Sequence, residues 1–257
     1  MKKILVAAAL VAAIFAAGTD AHALVTLEGR YWFTTLDATV KTSESSVIGT
    51  DINLVDDLGF KSKKNFPELR FTLGGERHKL RYGYLPLEWD GSKTITKSIV
   101  FAGKTYSAST NVTSKLTVDY HRIGYQYDFI TSKDKKESRL GFIFDIKYFN
   151  IDASLDAPTL ALSKTNNIKA PVPTIGFGGG FNLPAHLSVN AEATGLSISA
   201  GGGKFSVFDA EGSLRFRPVD WFAACAGYRL LKLHASVDND KADIGLKGPY
   251  LQMMLLY

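Results

Sequence analysis

The chain has 257 residues, 46% hydrophobic, 12% aromatic and 21% charged, with a formal net charge of +5 and a single cysteine. Its apolar content excludes intrinsic disorder, and one cysteine excludes an internal disulfide framework. Sixteen phenylalanines, eleven tyrosines and twenty-three glycines against eight prolines lean toward an all-β chain.

The first 23 residues are expected to be an address. Lys2 and Lys3 precede an apolar run from Ile4 to Ala17, and Ala21-His22-Ala23 supplies a small-x-small cleavage site. These are the parts of a cleaved secretory signal peptide. The run is shorter than the ~20 residues a membrane helix needs. Residues 24–257 then form a single domain, whose net charge of +4 gives no reason to expect a nucleic-acid partner.

Along this domain the recurring pattern is period-two alternation. Val25 to Phe33 alternates with Thr26 to Thr34. Leu69, Phe71 and Leu73 alternate with Glu68, Arg70 and Thr72, and Leu80, Tyr82 and Tyr84 with Lys79, Arg81 and Gly83. Leu116, Val118 and Tyr120 oppose Thr117, Asp119 and His121. After Arg122 the apolar face passes to Ile123, Tyr125 and Tyr127, as a bulge would cause. Further segments follow at 140–148, 174–181, 187–194, 208–216, 222–230 and 250–257, giving ten candidate strands.

Short connections (Gly74–Arg77, Thr131–Ser138, Asn182–Ala185, Arg217–Asp220) alternate with longer ones near 42–65, 91–112 and 154–170, and lesser ones at 200–203 and 237–243. That rhythm predicts an up-and-down antiparallel β-barrel with one trimmed and one elaborated end. Residues 95–112 hold enough Val, Ile, Phe and Tyr for an extra hairpin, so eight or twelve strands remain alternatives to ten.

The polar faces mix both signs instead of presenting a solubilising surface. Glu28, Glu68, Asp119, Asp145, Glu192, Asp209 and Glu211 stand against Arg30, Arg70, Lys79, Arg81, Lys147, Arg215 and Arg229, with His121 beside them. Balanced charge suits a narrow lumen, where an unpaired ion costs several kcal/mol. The apolar faces are then expected to meet lipid, which tolerates strands only in a closed barrel.

With these features the chain resembles bacterial outer-membrane β-barrel proteins. The resemblance rests on the signal segment, the amphipathic strands and a last strand Leu251-x-Met253-x-Leu255-x-Tyr257 ending on an aromatic. Tyr stands where Phe is commoner in those proteins. Asp51 to Gly59 resembles a first-loop element of uncharacterised proteobacterial barrels. The resemblance implies an outer-membrane location among lipids and lipopolysaccharide, and a terminal strand read by the barrel-assembly machinery. It implies no functional residues.

Candidate chemistry is thin. His186-Leu187-Ser188 is similar to the His-x-Ser of lipid A deacylase barrels, but Pro184 puts His186 in a short turn at the wrong end. Asp119-Tyr120-His121 is similar to the Asp-x-His half of the omptin proteases, with Asp238 and Asp240 the nearest match to their acidic pair. An interior structural pair is the simpler reading. Asp51, Asn53, Asp56 and Asp57, or Asp238, Asp240 and Asp243, lack the pattern of a calcium loop and read as solvated loop charge. Cys225 reads as a packed lumen residue, Gly201-Gly202-Gly203 as a hairpin tip, and Lys133, Lys135 and Lys136 as a solubilising patch. No metal or cofactor is expected. The expected function is that of a non-enzymatic barrel acting through its extracellular loops, whose ligand the sequence does not name, or as an envelope component. The alternatives are a narrow solute channel and a hydrolase using Asp119 and His121.

Overall fold

All ten alternating segments are strands of one antiparallel sheet that closes on itself. A computed structural model describes residues 24–44, 47–131, 138–160, 162–200 and 202–257. The expected signal segment, the lysine cluster at 133–136 and Gly201 lie outside them. In chain order the strands are β1 (Leu24–Lys41), β2 (Ile52–Asn53), β3 (Lys63–Gly74), β4 (His78–Thr94), β5 (Ile99–Phe101), β6 (Lys104–Tyr106), β7 (Asn111–Thr131), β8 (Arg139–Ala157), β9 (Leu162–Leu183), β10 (Leu187–Ala200), β11 (Gly203–Val219), β12 (Phe222–Val237) and β13 (Asp240–Leu256). β13 pairs with β1 from Thr26↔Leu256 to Lys41↔Lys241, which completes the ring. β2 extends the ladder on β1, and β5–β6 is a separate hairpin inside the region foreseen for one.

Two expectations need correction. Residues 154–170 are not a long loop, because β8 continues to Ala157 and β9 begins at Leu162. The phase of β7 does not slip at Arg122 either. Even-numbered residues stay inside from Val112 to Asp128, and the bulge falls between Asp128 and Ile130.

Both corrections have one cause. The strands reach 21 and 22 residues in β7 and β9, far beyond the about 9–11 that cross a bilayer. Near the short turns, outward side chains are apolar (Ile123, Phe144, Phe177, Met253) and inward ones are charged. Farther along, the polarity exchanges sides. On β7 the inner face changes from Arg122 to Tyr120, Val118 and Leu116, while the outer face changes from Ile123 to His121, Asp119 and Thr117. The same exchange occurs on β8, where Phe149 and Leu155 are buried and Asp152 and Ser154 lie outside. The lower half is thus built for hydrocarbon outside, and the upper half for water outside around an apolar core.

The upper half is also divided. β3 and β4 pair only from Leu69↔Tyr84 to Gly74↔Lys79, and β9 and β10 only from Leu187↔Leu183 to Gly195↔Ile175. Above those points two half-shells face each other, β4-β7-β8-β9 and β10-β11-β12-β13-β1-β3. Pro67, Pro86, Pro171 and Pro173 all lie on strands bordering these seams beyond the last paired residues. Proline lacks an N–H to donate and so belongs on an unpaired edge. The β3/β4 seam is covered from within. Phe66 meets Trp89 across it at 4.8 Å between ring centroids, and Leu58 and Phe60 of the first loop lie against Gly91, where a Cβ would collide with them.

Candidate functional site

The lower lumen is an ion-pair lattice carried by inward positions of successive strands. Arg30 grips Glu211 with two bonds of 2.7 and 2.9 Å, and Arg70 grips the same carboxylate from the other side at 2.9 Å. Glu68 accepts from Arg70 at 2.8 Å and from Arg229 at 3.1 Å. Asp209 receives Arg229 at 2.9 Å and Lys147 at 2.6 Å. Arg81 and Arg122 close on Glu192 at 2.6 and 2.5 Å, and Arg122 also binds Asp145 at 2.6 Å. Lys79 pairs with Asp128, Glu28 accepts from Gln252 at 2.9 Å, and Arg215 donates to Ser188 at 3.0 Å. Each carboxylate takes at least one charge-assisted or amide bond, as burial requires. A cavity of about 80 Å³ remains between these groups.

Above this lattice lies a layer of aromatic rings. The Arg30 guanidinium is 3.7 Å from the centre of Tyr250, and Arg229 is 4.9 Å from Trp32 and 5.7 Å from Tyr120. Arginine is suited to this boundary, since it can bind carboxylates edgewise and stack on rings by its face. Beyond it the interior is apolar. Ile52, Leu54, Leu58 and Phe60 from the first loop, and Ile95, Ile99, Phe101 and Tyr106 from the second, join Leu87, Leu116, Leu231 and Leu246 of the wall in one core. The Tyr106 hydroxyl fastens the hairpin to the Leu155 carbonyl at 3.0 Å.

Thirteen of the fifteen charged residues expected in the lumen face inward. Asp119 and His121 do not. They stand on the outer wall where the apolar band ends, because β7 keeps its phase. The Tyr84 hydroxyl donates to Asp119 at 3.1 Å, and the ring of His121 lies 4.8 Å from that of Tyr84 and 2.9 Å from the Tyr82 hydroxyl. This is an aromatic rim of the kind found at the edges of a membrane band. His186 is exposed in its turn with φ 60°, while Ser188 points inward to Arg215, so the two form no pair. Among the described residues no cluster of three or more His, Cys, Asp or Glu could hold a metal. The lumen residues that sequence reasoning missed are Arg122, Gln126, Asp128, Arg139 and Gln252. For Arg122, Gln126 and Asp128 the available signal was unbroken even-numbered phase along β7.

No protein-family model matches the sequence, nor does any curated protein. Among solved structures, the outer membrane protease OmpT from Escherichia coli aligns with a TM-score of 0.53 at 6% identity, over 91% of this chain and 97% of that one. The translocator domain of the autotransporter NalP from Neisseria meningitidis gives 0.38 at 9% identity, over 96% and 92%. Ail, the attachment invasion locus protein of Yersinia pestis, gives 0.37 at 9%, over 90% and 98%. The likeness to OmpT extends to the architecture and no further. With its closed ten-strand ring, its greasy outer band and its ionic lumen, this chain has the fold of the bacterial outer-membrane β-barrels.

Proposed function

We infer that the protein is a non-conducting, non-enzymatic barrel of the bacterial outer membrane whose work is done at its extracellular end. Lipid and lipopolysaccharide surround the apolar band, and the last strand, Leu251 to Tyr257, serves the barrel-assembly machinery as its signal. The observation that carries this reading is the double closure of the interior, by an ion-pair lattice below and a loop-built apolar core above. A solute passing through would have to break buried charge pairs and displace packed side chains. Against a hydrolase stands the placement of Asp119 and His121 outside the barrel.

The test is reconstitution into planar bilayers, with no conductance steps above the lipid baseline as the expected result. Steady openings overturn the closed-barrel reading. Peptide or lipid-ester turnover that disappears in His121→Ala overturns the non-enzymatic one.

A further inference from the structure

The upper core is not completely filled. Between the half-shells it leaves a cavity of about 330 Å³, within the range of about 300–1,000 Å³ typical of small-molecule sites. Leu58 and Phe60 of the first loop, Phe101 of the hairpin, Leu116 of β7, and Ile151 and Ala153 of β8 are in its wall. Protein interiors pack to crystal density, and the wall of this space is mainly apolar, with Lys41, Thr42, Asp240 and Lys241 gathered at the strand ends, so water deep inside finds few polar partners. Such a space calls for an apolar guest. At roughly 30 Å³ per water-sized group, it accommodates a chain of about ten carbons.

The rim adds a polar preference. Lys41 and Lys241, outward in phase but at the last pair of the β1–β13 ladder, lie opposite one another at the cavity mouth, with Asp240 beside them. Like charges directly opposite each other repel. Lys241 is answered by Asp243 at 2.7 Å, but Lys41 has no ion-pair partner among the described residues. An anion at the rim would relieve that repulsion. The strand pairs β13–β1, β12–β13, β7–β8 and β8–β9 around the cavity are zipped to, or nearly to, their ends, at Lys41↔Lys241, Val237↔Asp240, Thr113↔Asp156 and Ala157↔Leu162. Those walls are closed, so the approach is at the strand tips or across the open β9–β10 gap above Ile175, in either case from solvent outside the membrane.

We propose that this cavity is a binding site for a single-chain amphiphile of about ten carbons with an anionic head, the chain between the half-shells and the head beside Lys41. The inference rests on the extracellular-end reading above and names the ligand class for it. Ala153 lines the chain and Lys41 meets the head.

The experiment uses the full barrel held in amphipol and titrated calorimetrically with decanoate. One saturable site is expected. Ala153→Trp, which fills the cavity, should weaken binding at least tenfold while heat-modifiable migration on gels shows the barrel still folded. Lys41→Glu should weaken decanoate several-fold and leave neutral decanol unchanged. Absence of saturable decanoate binding, or equal binding by folded Ala153→Trp, overturns the proposal. In phosphatidylcholine vesicles, decanoate added outside should bind with the same stoichiometry. Binding seen in amphipol and lost in vesicles would contradict an entrance in solvent and overturn the proposal. The bilayer recordings are independent: conductance would sink the closed-barrel reading without touching decanoate binding, and the converse holds.

Discussion

The guanidinium of Arg229 lies 4.9 Å from the ring centre of Trp32 while its nitrogens hold Asp209 and Glu68, so one side chain joins the ionic lattice to the apolar core. It is fully buried. Replacing it leaves two carboxylates short of a partner and a ring without its cation. Arg229→Leu should therefore cost about 3 kcal/mol, in the range for breaking a buried pair. Urea unfolding from lipid vesicles measures it, with Asp119→Asn on the outer wall expected to cost less than about 1 kcal/mol.

The exchange of polarity along β7 predicts two opposite answers to one chemical change. Ile123 is 59% exposed in the apolar band, and Ile123→Lys should destabilise by about 2–4 kcal/mol in vesicles. Thr117→Lys, on the same outer face three pairs higher, should stay within about 1 kcal/mol. Equal costs would place both residues at one depth.

Unpaired seams have a signature in amide exchange. Along β10, residues 187–195 have ladders on both sides, but 196–200 pair with β11 alone. Alternate amides there point to no strand. Residue-resolved hydrogen exchange should show continuous protection through Thr194 and a fast–slow alternation from Leu196 onward. Uniform protection to Ser199 would contradict the open seam.

Asp243, above the band on β13, predicts acid sensitivity. Burial alone would raise its pKa, but hydrogen bonds from His234 and Lys241 outweigh that and hold it below the ordinary aspartate range. A depressed folded pKa gives stability that is complete above the unfolded value of about 3.9 and lost as pH falls through the lower folded value. The β12–β13 tip should accordingly lose exchange protection below about pH 4. Asp243→Asn should abolish that dependence.

Much of this was legible in the sequence. Alternation located all ten strands and the direction of nearly every side chain, because a barrel wall has one face for each solvent and strands have period two. What misled was the assumption that apolar always means outward. At Tyr120 and Asp119 the solvents themselves change places, and a polarity flip without a phase change imitates a bulge. The polar outer face of Asp152 to Asn167 imitates a loop for the same reason. A comparison across paired positions, Leu116 on β7 with Ala153 on β8 and Tyr120 with Phe149, carries the missing information. The cavity was not legible, since it depends on how far two loops fall short of filling a space.

The two seams have a mechanical consequence. Below Ile175 and Tyr84 the ring is a continuous annulus that cannot widen without breaking backbone bonds. Above them the protein is a pair of jaws on a rigid collar. Parting them breaks loop bonds such as Ala102 N–H to the Thr42 carbonyl and Thr50 N–H to the Val100 carbonyl, and disturbs side-chain contacts, but cuts no ladder along either gap, so the mouth can yield to a guest while the collar keeps its shape.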